Sequence, residues 1–525
     1  MSRSQENDDC GRLVAGFALA LAGAEEAELR AYVREGAGRL APGASLFHWD
    51  ANSVHGYVFD TTNASVIRGA SGILKQLDAE LAVGKGIELQ PSQILYAGGG
   101  AGFAVVRTDE GPAITARLHE LLARRTRVAT VTTTAVPLLA GQSFAETVGR
   151  AGRSLARERG LRSPDAESAV PFFAERCAIC GRRAAAELKK RTSGPRLECA
   201  PCGERVETAK GLVARGGEAD NFDDLKDSDG FYAVLYLDGN GIGRTIQTLE
   251  SPWAYYRFSR ALAELIRSGF AKVAKRYGLQ EEGAQGGAYQ LPISGGDDLV
   301  AILPANVAVP LARDLLADLE QEAEASEILK GRAIGACAGI ALAKSGFPIR
   351  HLLLEAEALL KVAKRRVYAG GQTVRSALTY ALVLDGSPRA EAVEPERFQL
   401  PADALLRSGL PYSLPEFERF SERLRVFQAA TGGLGRSQLH AMLRFGQAGP
   451  NQLRNHALYQ IARHPAWLAL VRELAGLDPE APLEASVAFA QIAPHYGKRQ
   501  VFDLPDLLPL LDHWQEPQAK AEVPA

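Results

Sequence analysis

No long apolar run occurs in this 525-residue sequence. Residues 13–22 are apolar but far shorter than the roughly 20 residues that span a membrane. The opening MSRSQENDDC is acidic where a signal peptide would be basic, so the chain is expected to be cytoplasmic, with no membrane partner. An excess of one charge is also missing. Sixty Lys and Arg stand against 62 Asp and Glu, a net charge of −2, and no global basic field announces nucleic acid. Any RNA contact has to come from local patches. Cysteine is scarce, six in all, and four fall in two CxxC pairs, which fits a metal site in a reducing compartment better than a disulfide framework. The remaining composition, 46% apolar and 23% charged, is ordinary for a globular protein, and the length leaves room for three or four domains.

The most informative stretch is ISGGDDLV at residues 293–300. Two glycines between apolar runs supply the positive φ of a tight hairpin and leave its backbone open to close approach. The adjacent Asp297 and Asp298 repel each other and are best tolerated where a divalent cation neutralises them. A solvated acidic hairpin accounts for a bare GGDD equally well. The balance shifts with FYAVLYL at 231–237, a strand-like run that ends at Asp238 before the turn GNGIG. If that strand lies beside the hairpin, Asp238, Asp297 and Asp298 converge in a cluster suited to one or two Mg²⁺ or Mn²⁺ ions carrying nucleotide phosphates.

Both halves of the chain read as βαββαβ, an α+β arrangement of an antiparallel sheet backed by helices. In the first, the expected strand is 54–59, followed by helix 64–81, hairpin 94–106, helix 114–124, strand 128–136 and helix 144–157. The second has strand 231–237, helix 252–278, hairpin 289–303, helix 307–323, strand 333–342 and helix 349–368, with a last strand at 377–384. YAGGGAGF at 96–103 answers ISGGDDLV, with Gly100 and Ala101 in place of the two aspartates. This is the pattern of an internal duplication whose first copy has lost its metal site; two unrelated ferredoxin-like units are the alternative.

Between the halves, Cys177 and Cys180 are followed after 18 residues by Cys199 and Cys202. Each CxxC is a knuckle that turns two thiolates to one side, and two knuckles complete a closed tetrahedral S₄ shell, the pattern of a structural Zn²⁺ ribbon. Cys337 lies in an apolar strand and reads as a buried thiol. Helix 349–368 ends in Lys361, Lys364, Arg365 and Arg366, cations that favour a helix C-terminus. One of the two lysines is also spaced to reach the hairpin. The Ser294 hydroxyl either caps the turn or hydrogen-bonds a nucleotide.

YLDGNGIG (236–243), SGGDDLVAIL (294–303), AGIALAK (338–344) and LLKVAKRR (359–366) together resemble the nucleotidyl-cyclase palm. Within that group the chain is most similar to the large polymerase/cyclase subunit of type III CRISPR effector complexes, and more distantly to GGDEF-type cyclases. The resemblance implies two ferredoxin-like palms, an inserted zinc ribbon and a C-terminal helical bundle. It implies a nucleotidyltransferase that converts ATP to 3′–5′ linked, cyclic oligoadenylate. Asp238, Asp297 and Asp298 would hold the metals. Ser294, Gly295, Gly296 and Lys364 would contact the nucleotide. Arg68-Gly69-Ala70-Ser71 resembles the family's first-palm signature. No His-Asp dipeptide is present, so the family's HD nuclease is not expected. A diguanylate-cyclase-like enzyme and a non-catalytic scaffold of a ribonucleoprotein are the rival functions.

The unequal hairpins suggest that the two palms face each other within one chain. The aspartate hairpin would carry metals and donor, while Gly98 and Gly99 seat the acceptor. Asp60, placed at the end of the first strand as Asp238 ends the second, would then have no metal partners and be dispensable. The expected domains are an N-terminal helical segment (1–45), first palm (46–165), ribbon and linker (166–225), second palm (226–385), linker (386–401), helical domain (402–515) and disordered tail (516–525). In the helical domain Phe417, Phe420, Leu424 and Phe427 form one apolar stripe, and Leu439, Leu443 and Phe445 begin another. Arg436, His440, Arg444, Arg454, His456, Arg463 and His464 are more simply a solvated face than an RNA or protein contact. The resemblance implies that this domain docks on other effector subunits and their guide and target RNA.

Overall fold

In the computed structural model, the described residues are 3–21, 24–36, 43–139, 141–161, 170–191, 194–213, 225–281, 287–370, 374–384, 409–430, 437, 441, 444–445, 450–463, 478 and 509–517. Helices α1 (Arg3–Ala20) and α2 (Glu26–Glu35) lead into the first sheet. Its strands are β1 (Ala44–Asn52), β2 (Ile94–Gly98), β3 (Ala101–Arg107) and β4 (Thr130–Pro137), in spatial order β2-β3-β1-β4 with all neighbours antiparallel. Phe47, Trp49 and Ala51 of β1 face a core shared with α4 (Ala64–Ala82) and α5 (Gly111–Thr126). Leu46, Val105 and Val136 face the opposite core, with α1 and with Phe144 and Val148 of α6 (Phe144–Leu161).

Residues 54–59 do not form the first strand. Val54–Val58 is a helical turn, α3, held by Tyr57 N donating to Ser53 O and Phe59 N donating to His55 O. The strand lies ten residues earlier. A short apolar run does not distinguish a strand from a buried helical turn by its periodicity, and here tertiary packing selects the LFHW run for the sheet.

The ribbon contributes a hairpin, β5 (Glu187–Arg191) and β6 (Gly194–Glu198), and helix α7 (Ala200–Val213). The second sheet then takes β7 (Phe231–Gly239), followed by α8 (Ile242–Ile246) and α9 (Pro252–Arg276). Strands β8 (Leu279–Glu281), β9 (Gly287–Gly295) and β10 (Asp298–Pro304) precede α10 (Ala305–Ala325), β11 (Ala336–Lys344), α11 (Ile349–Gly370) and β12 (Ala377–Val383). A two-residue β13 (Tyr412–Ser413) completes the order β13-β12-β11-β7-β10-β9-β8. Its inner four, β9-β10-β7-β11, repeat the plan of the first sheet. Tyr232, Val234 and Tyr236 pack under α11, while Ala233, Leu235 and Leu237 pack in the core that contains α9 and α10. Cover on both faces explains why β7 is an unbroken apolar run rather than an alternating one.

Beyond β13, α12 (Leu414–Ala430) buries Phe417, Phe420 and Leu424 beside Tyr380 and Trp514, and α13 spans Pro450–Arg463. The expected linker at 386–401, the side chains of Phe427 and Arg454, and residues Arg436, Leu439, His440, Leu443 and His464 lie outside the described residues. The start of the expected disordered tail is instead anchored. Glu516 pairs with Arg313 at 2.9 Å and with Arg425 at 2.9 Å, and Gln515 N donates to Asn306 O at 2.7 Å. No helix among the described residues is long and apolar enough to cross a membrane.

Candidate functional site

Register brings the acidic residues together. Asp298, the first residue of β10, lies directly opposite Asp238 on β7, and Gly295 closes the hairpin opposite Asp298 on the other side. Gly296 takes the positive φ of the turn, +63°. Asp297 O accepts from Gly239 N at 3.2 Å, and a Cβ on Gly239 would fall 2.9 Å from that of Asp297. Glycine after Asp238 therefore allows the hairpin to close on β7. The turn is fastened from below by Asn240, whose Nδ2 donates to Arg375 O at 2.8 Å and to the Cys337 thiol at 3.2 Å. Cys337 is fully buried and its thiol is pushed up to about 11 by burial, an inert group, as the apolar strand implies.

Burial raises the Asp297 carboxyl to about 6 and that of Asp298 to about 7, and the charge of Asp238 adds to both. Asp238 itself pairs with the Lys364 ammonium. Burial alone would lower Lys364, but the Asp238 contact outweighs it and holds the amine above its ordinary value. Lys361 instead pairs with Glu357 at 2.8 Å on the exposed side of α11. Ser294, half-buried, lies opposite Leu299 one residue before the hairpin tip.

The three aspartates are hard oxygen donors that repel one another in a partly dry corner, and the ammonium already stands where positive charge is wanted. That donor set fits a divalent cation such as Mg²⁺ or Mn²⁺. Their oxygens do not close to mutual ligand spacing; among the described residues only the four-cysteine group does, with all ligand atoms within 4.8 Å.

In that group the Sγ atoms of Cys180 and Cys199 are 3.9 Å apart. A tetrahedron with Zn–S of about 2.3 Å has edges of about 3.8 Å, so the four thiols fit zinc. The geometry leaves no open position for a reacting ligand.

The first sheet's hairpin carries Gly99 and Gly100 at φ of +64° and +81°. Gly100 N donates to Asp78 Oδ1 at 3.0 Å, and burial raises that carboxyl to about 6. The tip abuts the second hairpin: a Cβ on Gly295 would fall 2.3 Å from Gly99 Cα. The two hairpins thus meet backbone to backbone within one chain. The bare face of Gly99 is filled by Gly295 rather than open.

The register also corrects the place given to Asp60. On β1 the residue opposite Ala101 is Asp50, as Asp238 is opposite Asp298, so Asp50 is the counterpart of Asp238. Asp50 pairs with Arg159 at 2.7 Å. Asp60 lies past α3, 3% exposed, among Arg182, Arg183 and Arg205 of the ribbon. Sequence reasoning also missed His55, whose Nε2 lies 2.7 Å from the Tyr236 hydroxyl, two residues before Asp238. No motif marks it; only the α3 turn brings it there.

Residues 231–372 match the family model for the Cas10/Cmr2 second palm domain. The fold is similar to that of a chain in a Csm1-Csm4 cassette crystallised with cA4, at 15% identity and TM-score 0.53, over 93% of this chain and 73% of that one. A Csm1-Csm4 cassette with AMPPNP gives 16% identity and TM-score 0.52 over 96% and 73%. Csm1 of T. onnurineus gives 15% and TM-score 0.54 over 89% and 70%. No curated protein is significantly similar in sequence. Residues 231–372 are thus similar to a Cas10/Cmr2 second palm, and the fold of the whole chain is similar to that of Csm1.

Proposed function

We propose that the chain is a nucleotidyltransferase that joins ATP into 3′–5′ linked oligoadenylate, closing it to a ring, as a subunit of a type III CRISPR-like effector. The observation that carries this reading is the meeting of Asp238, Asp297 and Asp298 at the ends of β7 and β10, with Lys364 on Asp238. Adenine as the base is supported by relatives whose structures contain cA4 and AMPPNP. Asp238, Asp297 and Asp298 would hold Mg²⁺ or Mn²⁺, which when bound supplies an acidified 3′-hydroxyl and charge neutralisation at the triphosphate. Lys364, released from Asp238, reaches the donor's phosphates. Ser294, Gly295 and Gly296 lie along the nucleotide, and the neighbouring Gly98 and Gly99 side of the first hairpin approaches the acceptor. No nuclease step is proposed. Docking on other effector subunits, and through them on guide and target RNA, is assigned to the C-terminal helical domain.

Incubating the pure chain with each NTP and Mn²⁺, then identifying products by mass spectrometry, tests this reading. Oligoadenylates released with pyrophosphate are expected, linear forms preceding rings because only one hairpin carries carboxylates. Cyclic dinucleotides of guanine would favour a diguanylate-cyclase-like enzyme, and no consumption under any activating condition would make the chain a scaffold.

The division of labour is read with Asp50, in place of Asp60. Asp50→Asn removes the register counterpart of Asp238 and leaves synthesis within about twofold, since a partly exposed ion pair contributes little. A loss as deep as that of Asp238→Asn would mean that both palms hold metal.

The ribbon is expected to carry about one Zn²⁺ per chain by metal analysis, bound by Cys177, Cys180, Cys199 and Cys202. Chelation should lower the melting temperature, because coordination energy is folding energy for an insert with little apolar core. An unchanged melting curve after complete zinc removal contradicts this.

A further inference from the structure

A charge cluster at the ribbon remains outside the proposed chemistry. Arg205 is fully buried, with Nη1 3.5 Å from Asp60 Oδ2 and its guanidinium 4.2 Å above the Tyr57 ring. Its Nε and Nη2 find no hydrogen-bond acceptor. Arg183 pairs with the same Asp60 oxygen, and Arg182 approaches Oδ1 at 3.4 Å. Arg183 and Arg205 thus share a single carboxylate oxygen, in a place where burial makes unbalanced charge costly. Arg183 Nη1 is also 3.9 Å from Cys180 Sγ. Four thiolates around a divalent zinc carry two net negative charges. The metal-loaded knuckles therefore place negative charge beside Arg183, which also holds Asp60.

The same residues lead to the candidate site. Thr61 Oγ1 donates to Ile179 O, inside the first knuckle, at 3.3 Å. On α4 a Cβ at Gly69 would fall 1.8 Å from Arg205 O, so the ribbon helix lies directly on the first palm's helix. Tyr57, under Arg205, belongs to the α3 turn that carries His55 to Tyr236.

We propose that the loaded ribbon is an electrostatic latch on the 53–61 segment, with Asp60 as a positioning residue that holds His55 against Tyr236 and so fixes the strand end bearing Asp238. Zinc loading and the geometry of the nucleotidyl-transfer site are thereby coupled through the first palm. The latch rests on the proposed function only in taking β7 as the reacting strand.

The test is hydrogen exchange on the full chain without nucleotide, read at the Tyr57 and Phe59 amides that hold the α3 turn. Chelating the zinc, or replacing Asp60 in Asp60→Asn with zinc still bound, should each speed exchange there about a hundredfold, as breaking a buried ion pair does. The β2–β3 hairpin amides should not change. Unchanged protection at Tyr57 and Phe59 in either case overturns the latch. If Asp60→Asn does not fold, Arg183→Gln, whose side chain is 31% exposed, takes its place. A rise of about two- to fivefold then supports the latch, matching one partly exposed ion pair, and no rise overturns it. Where the wild type consumes nucleotide, Asp60→Asn should lower kcat with KM unchanged; an unchanged kcat denies the coupling to the site. A wild type that consumes none refutes the proposed function and leaves the exchange result to decide the latch.

Discussion

Replacing Asp297 and Asp298 together with alanine should lower metal-dependent nucleotide consumption by roughly a thousandfold or more, while the metal-free protein becomes more stable at neutral pH. The first effect follows from losing two of the three oxygen donors at the ends of β7 and β10. The second follows from their titration. Burial and the neighbouring Asp238 raise Asp297 from 3.8 to about 6 and Asp298 from 3.8 to about 7. The folded chain therefore keeps protons that the unfolded chain releases, and its stability declines as pH rises from about 4 to about 7. Without divalent ions the wild-type melting temperature should fall across that window. Added Mn²⁺ should restore it above the window, because binding to the folded state stabilises it. The double variant should show a shallower decline, since the raised Asp78 carboxyl still titrates in that window, and no restoration. A variant that melts with the wild type's pH dependence would mean that these carboxylates are not in conflict. Equal nucleotide consumption by both proteins would remove them from the chemistry.

That site was legible because its signal is local. An apolar strand ending in Asp238 and a hairpin of two glycines and two aspartates each carry their own turn chemistry, and the strand lengths leave few ways to pair them. The four cysteines were legible for the same reason: spacing alone closes the shell. The first strand was not. The LFHW run in β1 and the VHGYVF run after it are both short, apolar and aromatic, and the choice between them is made by packing against α4 and α5. That misplacement carried Asp60 with it. Its conspicuous position after an apolar run suggested the counterpart of Asp238, whereas the β1–β3 register assigns that place to Asp50. The partners of Asp60 lie more than 120 residues away on the ribbon, and a lone aspartate gives no hint of three arginines there. The two glycines of the hairpin divide the two roles that the sequence suggested for the pair. Gly296 alone takes the positive φ of the tight turn, and Gly295 serves the close approach, because another backbone lies against it.

Gly295→Ala should therefore cost far more than a single methyl suggests. Its Cβ would lie 2.3 Å from Gly99 Cα and 2.4 Å from Gly99 N, both backbone atoms that no rotamer change can move. The hairpins must separate by more than an ångström to reach van der Waals contact. A displacement of about 1 Å between reacting groups lowers rates about a hundredfold, so synthesis should fall by at least that much. The carboxylates stay on their own hairpin, so Mn²⁺ binding measured by titration should remain within about threefold, a change of less than 1 kcal/mol. Gly243→Ala is the control: it lies in the short helix α8 after Asp238, has no atom within 4 Å of an added Cβ, and should leave synthesis unchanged. A second comparison is Gly99→Ala, where the added Cβ meets Gly295 at 3.3 Å and the φ of +64° is itself unfavourable for alanine. Both hairpin variants should lose synthesis and keep metal. If Gly295→Ala makes oligoadenylate at close to the wild-type rate, the contact between the two hairpins does not set the distance between donor and acceptor. The second palm would then act without the first, and the acceptor's seat would lie elsewhere.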